Sequence, residues 1–269
     1  TTIYTPRTKI KGIGYVMKIA RVQTNERELT ARIEGEKLIA LEGTPIAPGP
    51  ETGEVLDIAT VKFLVPSSPS KIVAIGINYM DHAGDRTAPT EPQPFLKTPS
   101  SLIGHQEEIV LPADSTNVHM EAELVAVMGR ACSKVAPESV LDYVAGYTAG
   151  NDVSGRDWQQ ADLQWWRAKS SDTFTAVGPW METEIDPWNT SIEGRISGKT
   201  QQESNTSLLI NSVAACISRV SHYMSLEPGD LIFTGTPGTT GEISSGDVCE
   251  VEVGEGDITV LLSNPVVRA

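Results

Sequence analysis

Residues 120–129, MEAELVAVMG, form an apolar run with two carboxylates, Glu121 and Glu123, near its start. Strand side chains alternate between faces, so the two glutamates point the same way, roughly 6.6 Å apart along the strand. Val125 and Val127 continue their face, and Ala122, Leu124, Ala126 and Met128 line the other, which predicts a strand covered on both sides. The plain alternative for a lone Glu-x-Glu is a half-solvated strand with its charged face in water. Inside a core the two ionised groups would repel by about 2.5 kcal/mol at an effective dielectric of about 20, and each would lose hydration. A cation relieves both costs, and all-oxygen ligation selects a hard ion, Mg²⁺, Mn²⁺ or Ca²⁺, over zinc.

Similar strand-like segments recur at irregular spacing: KIVAIGINY, EEIVLP, VAGYTAGNDVS, DLIFTGTP and DVCEVEV, separated by Gly, Pro and Asp turns. Ahead of them, residues 17–43 alternate apolar and polar side chains, with Asn25 and Gly35 as punctuation, and predict two or three short antiparallel strands. The Pro- and Gly-rich GTPIAPGPETGE and then FLVPSSPSK mark a change of organisation. The expected division is an extension over residues 1–16, a small β domain over 17–66 and a catalytic, metal-binding domain over 67–269. One helix is predicted from Leu209, Val213, Cys216, Ile217, Val220 and Met224, with Asn205 and Thr206 as cap candidates and EPGD as its stop. A shorter one is expected over DWQQADLQWWRA, with Asp157 as its N-cap. The fold class is therefore mainly β (α+β), with helices packed outside mixed strands.

Acidity narrows the function. With 35 acidic against 21 basic side chains in 269 residues, the chain carries a net charge of −14. No basic stripe is present to displace counterions, so neither nucleic acid nor an anionic membrane is an expected partner. The cysteines Cys132, Cys216 and Cys249 have no zinc-type spacing, and their odd number argues for reduced thiols. Without a long apolar stretch or an apolar leader, a cytoplasmic protein is expected. GxSxG, HExxH, a P-loop and a strand-following GxGxxG are all missing.

Other polar residues sit in or beside apolar segments. Asp152 ends an uncharged strand and reads equally as a third carboxylate ligand or a turn former, with Arg156 and Gln159 following it. His82 lies in the loop of GINYMDHAGDRTAPTEPQPF with Asp85 three residues on, and one helical turn would set that carboxylate against the imidazole. Lys169 precedes the strand-like TFTAVGP and is as readily a surface lysine. Trp158, Trp165 and Trp166 suit core or subunit packing better than a pocket wall.

Taken in order, GINYMDHAGD, FLKTPSSLIG, HMEAELVAVMG, AGYTAGNDVSGRDWQ, AKSSDTF and PGDLIFTGTPGTTG resemble the fumarylacetoacetate hydrolase family over most of residues 71–262. The resemblance implies that family's mixed β-sandwich roll behind a small N-terminal β domain, and a homodimer. It implies metal ligation by Glu121, Glu123 and Asp152, with Mg²⁺ or Mn²⁺ as the ion and Ca²⁺ possible. His82 with Asp85 would activate water, Lys169 and Gln159 would position the reacting group, and Arg156, Thr236 and Tyr79 would bind substrate. Asp85 stands where the family's dyad usually has Glu, which shortens the reach to His82. Thr240 replaces a more apolar residue, and HQEE at 105–108 is unusually polar. The implied substrate is a small anionic 2-oxo acid. The first reading is hydrolysis of a carbon–carbon bond in a 1,3-diketo acid such as an acylpyruvate. The rivals are decarboxylation of a β-keto acid such as oxaloacetate, keto–enol isomerisation, and a metal-binding protein without catalysis.

Overall fold

The charged strand is covered on both faces. In the computed structural model, which describes residues 17–83 and 87–269, Ala122–Met128 is buried at every position. Ala122, Leu124, Ala126 and Met128 enter the main core, while Val125 and Val127 join a second cluster with Val177, Leu231 and Phe233. The expected extension, residues 1–16, lies outside the described residues, as does Asp85.

Two antiparallel neighbours flank this strand: Val144–Asp152, with Ala122 opposite Asn151, and Leu231–Phe233. They need a close approach at Gly150, where a Cβ would lie 2.6 Å from Cε1 of Phe233 and would also strike Val125. Gly150→Ala is therefore expected to destabilise the fold by about 1–3 kcal/mol, read as a lower urea midpoint. An unchanged midpoint would mean that Phe233 turns aside without cost.

Among the described residues, the three strands lie in a 12-stranded sheet. On one side Val144–Asp152 pairs with Thr175–Glu182, and that strand with Lys18–Gln23, which leads the N-terminal strands into the same sheet. On the other side Leu231–Phe233 runs parallel to Ile72–Gly76, and Gln93–Lys97 closes the edge. A five-stranded sheet, including Ser191–Ile196, Val248–Glu255 and Ile258–Arg268, packs against it. Leu124, Ala126 and Tyr147 share one core with Ile192, Val251 and Leu262, the arrangement of a mixed β sandwich. No helix among the described residues is long and apolar enough to cross a membrane.

Three local expectations need correction. The Pro- and Gly-rich run is itself a strand, Ala47–Asp57, paired to Lys37–Thr44 with two register shifts. At the sheet's border, missing donors and irregular register are tolerated. The main helix is Val213–Tyr223, capped by Ser212, whose hydroxyl accepts from the Ala215 N–H. Asn205 instead caps a 3-10 turn over Thr206–Leu208. The tryptophan-rich segment divides into helices Arg156–Ala161 and Trp166–Ser170, and Gly155, not Asp157, is the first N-cap. Asp157 lies in the first turn, where its carboxylate accepts from Ser115 Oγ and the Thr116 N–H.

Candidate active site

Ends of adjacent strands bring the acids together. The Asp152 N–H donates to the Glu121 carbonyl at 2.9 Å, placing the two residues side by side across the strand pair. Glu123 approaches the loop after Leu231–Phe233, where the Gly235 N–H donates to Oε2 at 2.6 Å. Gly235 has φ +105°, and a Cβ there would lie 2.7 Å from that of Asn78, so the approach requires glycine. Glu121, Glu123 and Asp152 are buried, and one oxygen from each lies within 4.8 Å of the others. That spacing suits a cation with oxygen ligands about 2.0–2.6 Å away, and the absence of His or Cys from the trio suits a hard ion.

The cluster carries cations of its own. Lys169, buried on Trp166–Ser170, donates from Nζ to Glu121 Oε2 and Asp152 Oδ2, both at 2.6 Å. Arg156 Nη2 donates to Glu121 Oε1 at 2.5 Å. Lys97, which sequence reasoning did not single out, reaches in from Gln93–Lys97 and binds Asp152 Oδ1 and the Lys169 and Phe174 carbonyls. Burial would raise Glu121, but Lys169 and then Arg156 hold it well below the usual carboxylate range. Burial lowers Lys169 less than Asp152 and Glu121 raise it, so its net direction is up. Lys97 is lowered, because its burial outweighs Asp152. Glu123, hydrogen-bonded to a backbone amide, is pushed well above its usual value by burial and then by Asp152 and Glu121. A divalent ion beside Glu123 would offset its burial and the charge of the two neighbouring carboxylates. The donor set fits such an ion.

Apart from Lys97, these groups line a cavity of about 440 Å³. Glu121, Glu123, Asp152, Arg156, Gln159, Lys169, Thr236 and His82 all face it, which unites eight of the sequence candidates. Its apolar wall is Ile75, Ile77, Phe95 and Trp165, with Trp165 edge-on to Phe95 at 5.3 Å between centroids. Ile77 has φ +52°, a strained conformation for a β-branched residue, held at the cavity wall. Trp158 is instead buried beneath Arg167, and Trp166 is exposed.

Individual roles differ in their surroundings. His82 Nδ1 lies 2.8 Å from the Gly238 carbonyl oxygen. Because a carbonyl only accepts, Nδ1 carries the proton and Nε2 the lone pair of the neutral ring. Thr236 donates its hydroxyl to the Ala122 carbonyl and accepts from Gln202 Nε2. Tyr79 is fully buried in the main core and is not among the cavity-lining residues. Burial, then Glu123 and Asp81, raise its phenol far above the usual value. Thr240 lines the cavity and accepts from Arg156 Nη2, while His119 Nδ1 lies 2.8 Å from the same hydroxyl. Burial and then Arg156 push the His119 imidazole below its ordinary value.

Residues 71–267 match the family described as fumarylacetoacetate (FAA) hydrolase C-terminal. The chain belongs to that family. Residues 17–66 of this FAA hydrolase family member match a second description, Rv2993c-like, N-terminal. Protein Rv2993c of Mycobacterium tuberculosis is 41% identical over 94% of this chain and 98% of its own. The structure of 2-hydroxyhepta-2,4-diene-1,7-dioate isomerase from Mycobacterium marinum superposes with a TM-score of 0.87 at 38% identity, covering 94% of this chain and 98% of that one. Maleylpyruvate hydrolase from Sphingobium sp. SYK-6, in complex with manganese(II) and pyruvate, gives 0.78 at 26% identity, covering 94% of this chain and all of that one (100%). A Xenopus laevis relative named oxaloacetate tautomerase fahd2, mitochondrial, is 36% identical over 79% of this chain and 70% of its own. FAA hydrolase family members thus include hydrolases, isomerases and tautomerases.

Proposed function

We propose that the chain is a divalent-metal-dependent hydrolase that cleaves a carbon–carbon bond in a 1,3-diketo acid of the acylpyruvate class. The observation that carries this reading is His82: its Nδ1–H is committed to Gly238, and its ring faces the cavity that holds the carboxylate cluster. That is the arrangement of a general base. A divalent ion held by Glu121, Glu123 and Asp152 would supply Lewis acidity toward the 2-oxo acid end of the substrate. The manganese and pyruvate of the Sphingobium hydrolase support the same ion class and head group here.

In the proposed reaction His82 Nε2 takes a proton from water as the water oxygen bonds to the acyl carbonyl carbon. The Lys169 ammonium lends positive charge near the developing oxyanion. The bond from the acyl carbon to the methylene then breaks, its electron pair leaves on pyruvate enolate, and the His82 imidazolium returns a proton to that carbon. The products are a carboxylic acid and pyruvate. Asp85 is proposed as a further partner of His82.

Keto–enol isomerisation is the second reading, favoured by the names of the Mycobacterium marinum and Xenopus relatives. It needs no attacking water. Assays of acetylpyruvate and oxaloacetate in Mg²⁺ and Mn²⁺ distinguish the two. His82→Ala is expected to lose at least about 100-fold in acetylpyruvate hydrolysis. A fully active variant would remove the hydrolase reading.

A further inference from the structure

Arg156 faces the cavity, yet its guanidinium is already engaged. Nη1 donates to Gln159 Oε1 at 2.8 Å, and Nη2 donates both to Glu121 Oε1 at 2.5 Å and to Thr240 Oγ1 at 2.8 Å. A guanidinium grips a carboxylate at two points through either the Nε/Nη2 or the Nη1/Nη2 pair of protons. Both pairs include an Nη2 proton, and both Nη2 protons are taken. Among the described residues, Arg156 retains Nε–H and one Nη1–H, neither of which has a free Nη2 proton beside it to complete a fork.

Thr240 is held in this role by His119. If His119 Nδ1 donated to Thr240, the threonine's own proton would lack an acceptor among the described contacts. Thr240 Oγ–H to His119 Nδ1 gives the threonine proton an acceptor and leaves the hydroxyl oxygen to accept from Arg156. Of the other cations, Lys169 bridges Glu121 and Asp152 and Lys97 is fully buried behind Asp152. Among the described cations at the site, Arg156 is the one left to meet a second carboxylate on the substrate. The remaining wall is mainly apolar, Ile75, Ile77, Phe95 and Trp165, with the uncharged Gln160 also among the lining residues.

We propose that Thr240 is a specificity-determining positioning residue: by holding one Nη2 proton of Arg156, it denies a carboxylate-ended acyl arm its two-point grip and reserves the pocket for an uncharged arm. The hydrolytic form of this statement rests on the function proposed above, but the binding preference does not.

The test uses the metal-loaded full chain and two pairs of probes. In hydrolysis, kcat/KM for acetylpyruvate should exceed that for fumarylpyruvate. Thr240→Val should shift the ratio about tenfold or more toward fumarylpyruvate, through KM, because one charge-assisted hydrogen bond becomes available to the substrate. Thr240→Ser, which keeps the hydroxyl, should retain the native preference. In calorimetry, 2-oxovalerate should bind more tightly than 2-oxoglutarate to the native chain, and Thr240→Val should narrow or reverse that order. A native preference for the dicarboxylate, or a Thr240→Val ratio unchanged in binding, would overturn the proposal. Absence of all hydrolysis with the binding preference intact would overturn the hydrolase reading alone.

Discussion

Asp152→Ala is expected to abolish both metal binding and turnover. Its carboxylate is one of three whose oxygens lie within 4.8 Å of one another, so its loss removes a third of the charged donor set. The same carboxylate accepts from Lys97 and Lys169, both 2% exposed, and the truncation leaves two buried ammoniums short of a counter-charge. Breaking a buried pair from one side typically costs about 3–5 kcal/mol, so the metal-free variant should also melt earlier. Asp152→Asn separates the two effects. It keeps the shape of the side chain and an acceptor for one of the two lysines but loses the charge, so the metal-free chain should lose less stability than Asp152→Ala while metal affinity still falls. Metal content after dialysis, calorimetric titration with Mn²⁺, and the Mn²⁺-dependent rise in Tm provide the readouts, since an ion bound to the folded state stabilises it by mass action. Native metal stoichiometry in Asp152→Ala would refute the ligand assignment, and Glu121→Ala should behave in the same way.

The strand with Glu121 and Glu123 was legible because alternation is local: residues two apart share a face whatever the strand pairs with. Asp152 was only half legible. Its place depends on the register that sets Asn151 opposite Ala122, and register joins segments distant in sequence. Lys97 gave no usable signal. A lysine on a short strand with a proline reads as an edge residue facing water, and only the fold turns its side chain inward to Asp152. Thr240 could be read as unusual, but its purpose depends on His119 and Arg156, which reach it from separate segments. Local competition explains the misplaced helix start. Asn205, Thr206 and Ser212 are all cap-forming residue types, and the Asn205 side chain is committed to the Ser207 N–H of its own turn. Ser212 alone of the three has its hydroxyl on an N–H in the first turn of Val213–Tyr223.

Lys97→Met provides the sharpest test of how the site maintains its charge. Methionine matches the lysine in length and fits a buried stem, so packing changes little while the ammonium disappears. Three hydrogen bonds go with it, to Asp152 Oδ1 and to the Lys169 and Phe174 carbonyls. In the native chain the acids Glu121, Glu123 and Asp152 stand against Lys97, Lys169 and Arg156, equal in number and opposite in sign. The variant leaves Asp152 with one ammonium partner, that of Lys169, in place of two. Metal-free stability should fall by about 3–5 kcal/mol, as expected when one partner of a buried pair is removed. The divalent ion should then restore more stability to the variant than to the native chain, because it enters a site with an extra negative charge. Urea unfolding with and without Mg²⁺ measures both quantities. A metal-free loss below about 1 kcal/mol would show that the ammonium contributes little to holding Asp152. An Mg²⁺ increment no larger than that of the native chain would show that Lys97 and the ion do not answer the same charge.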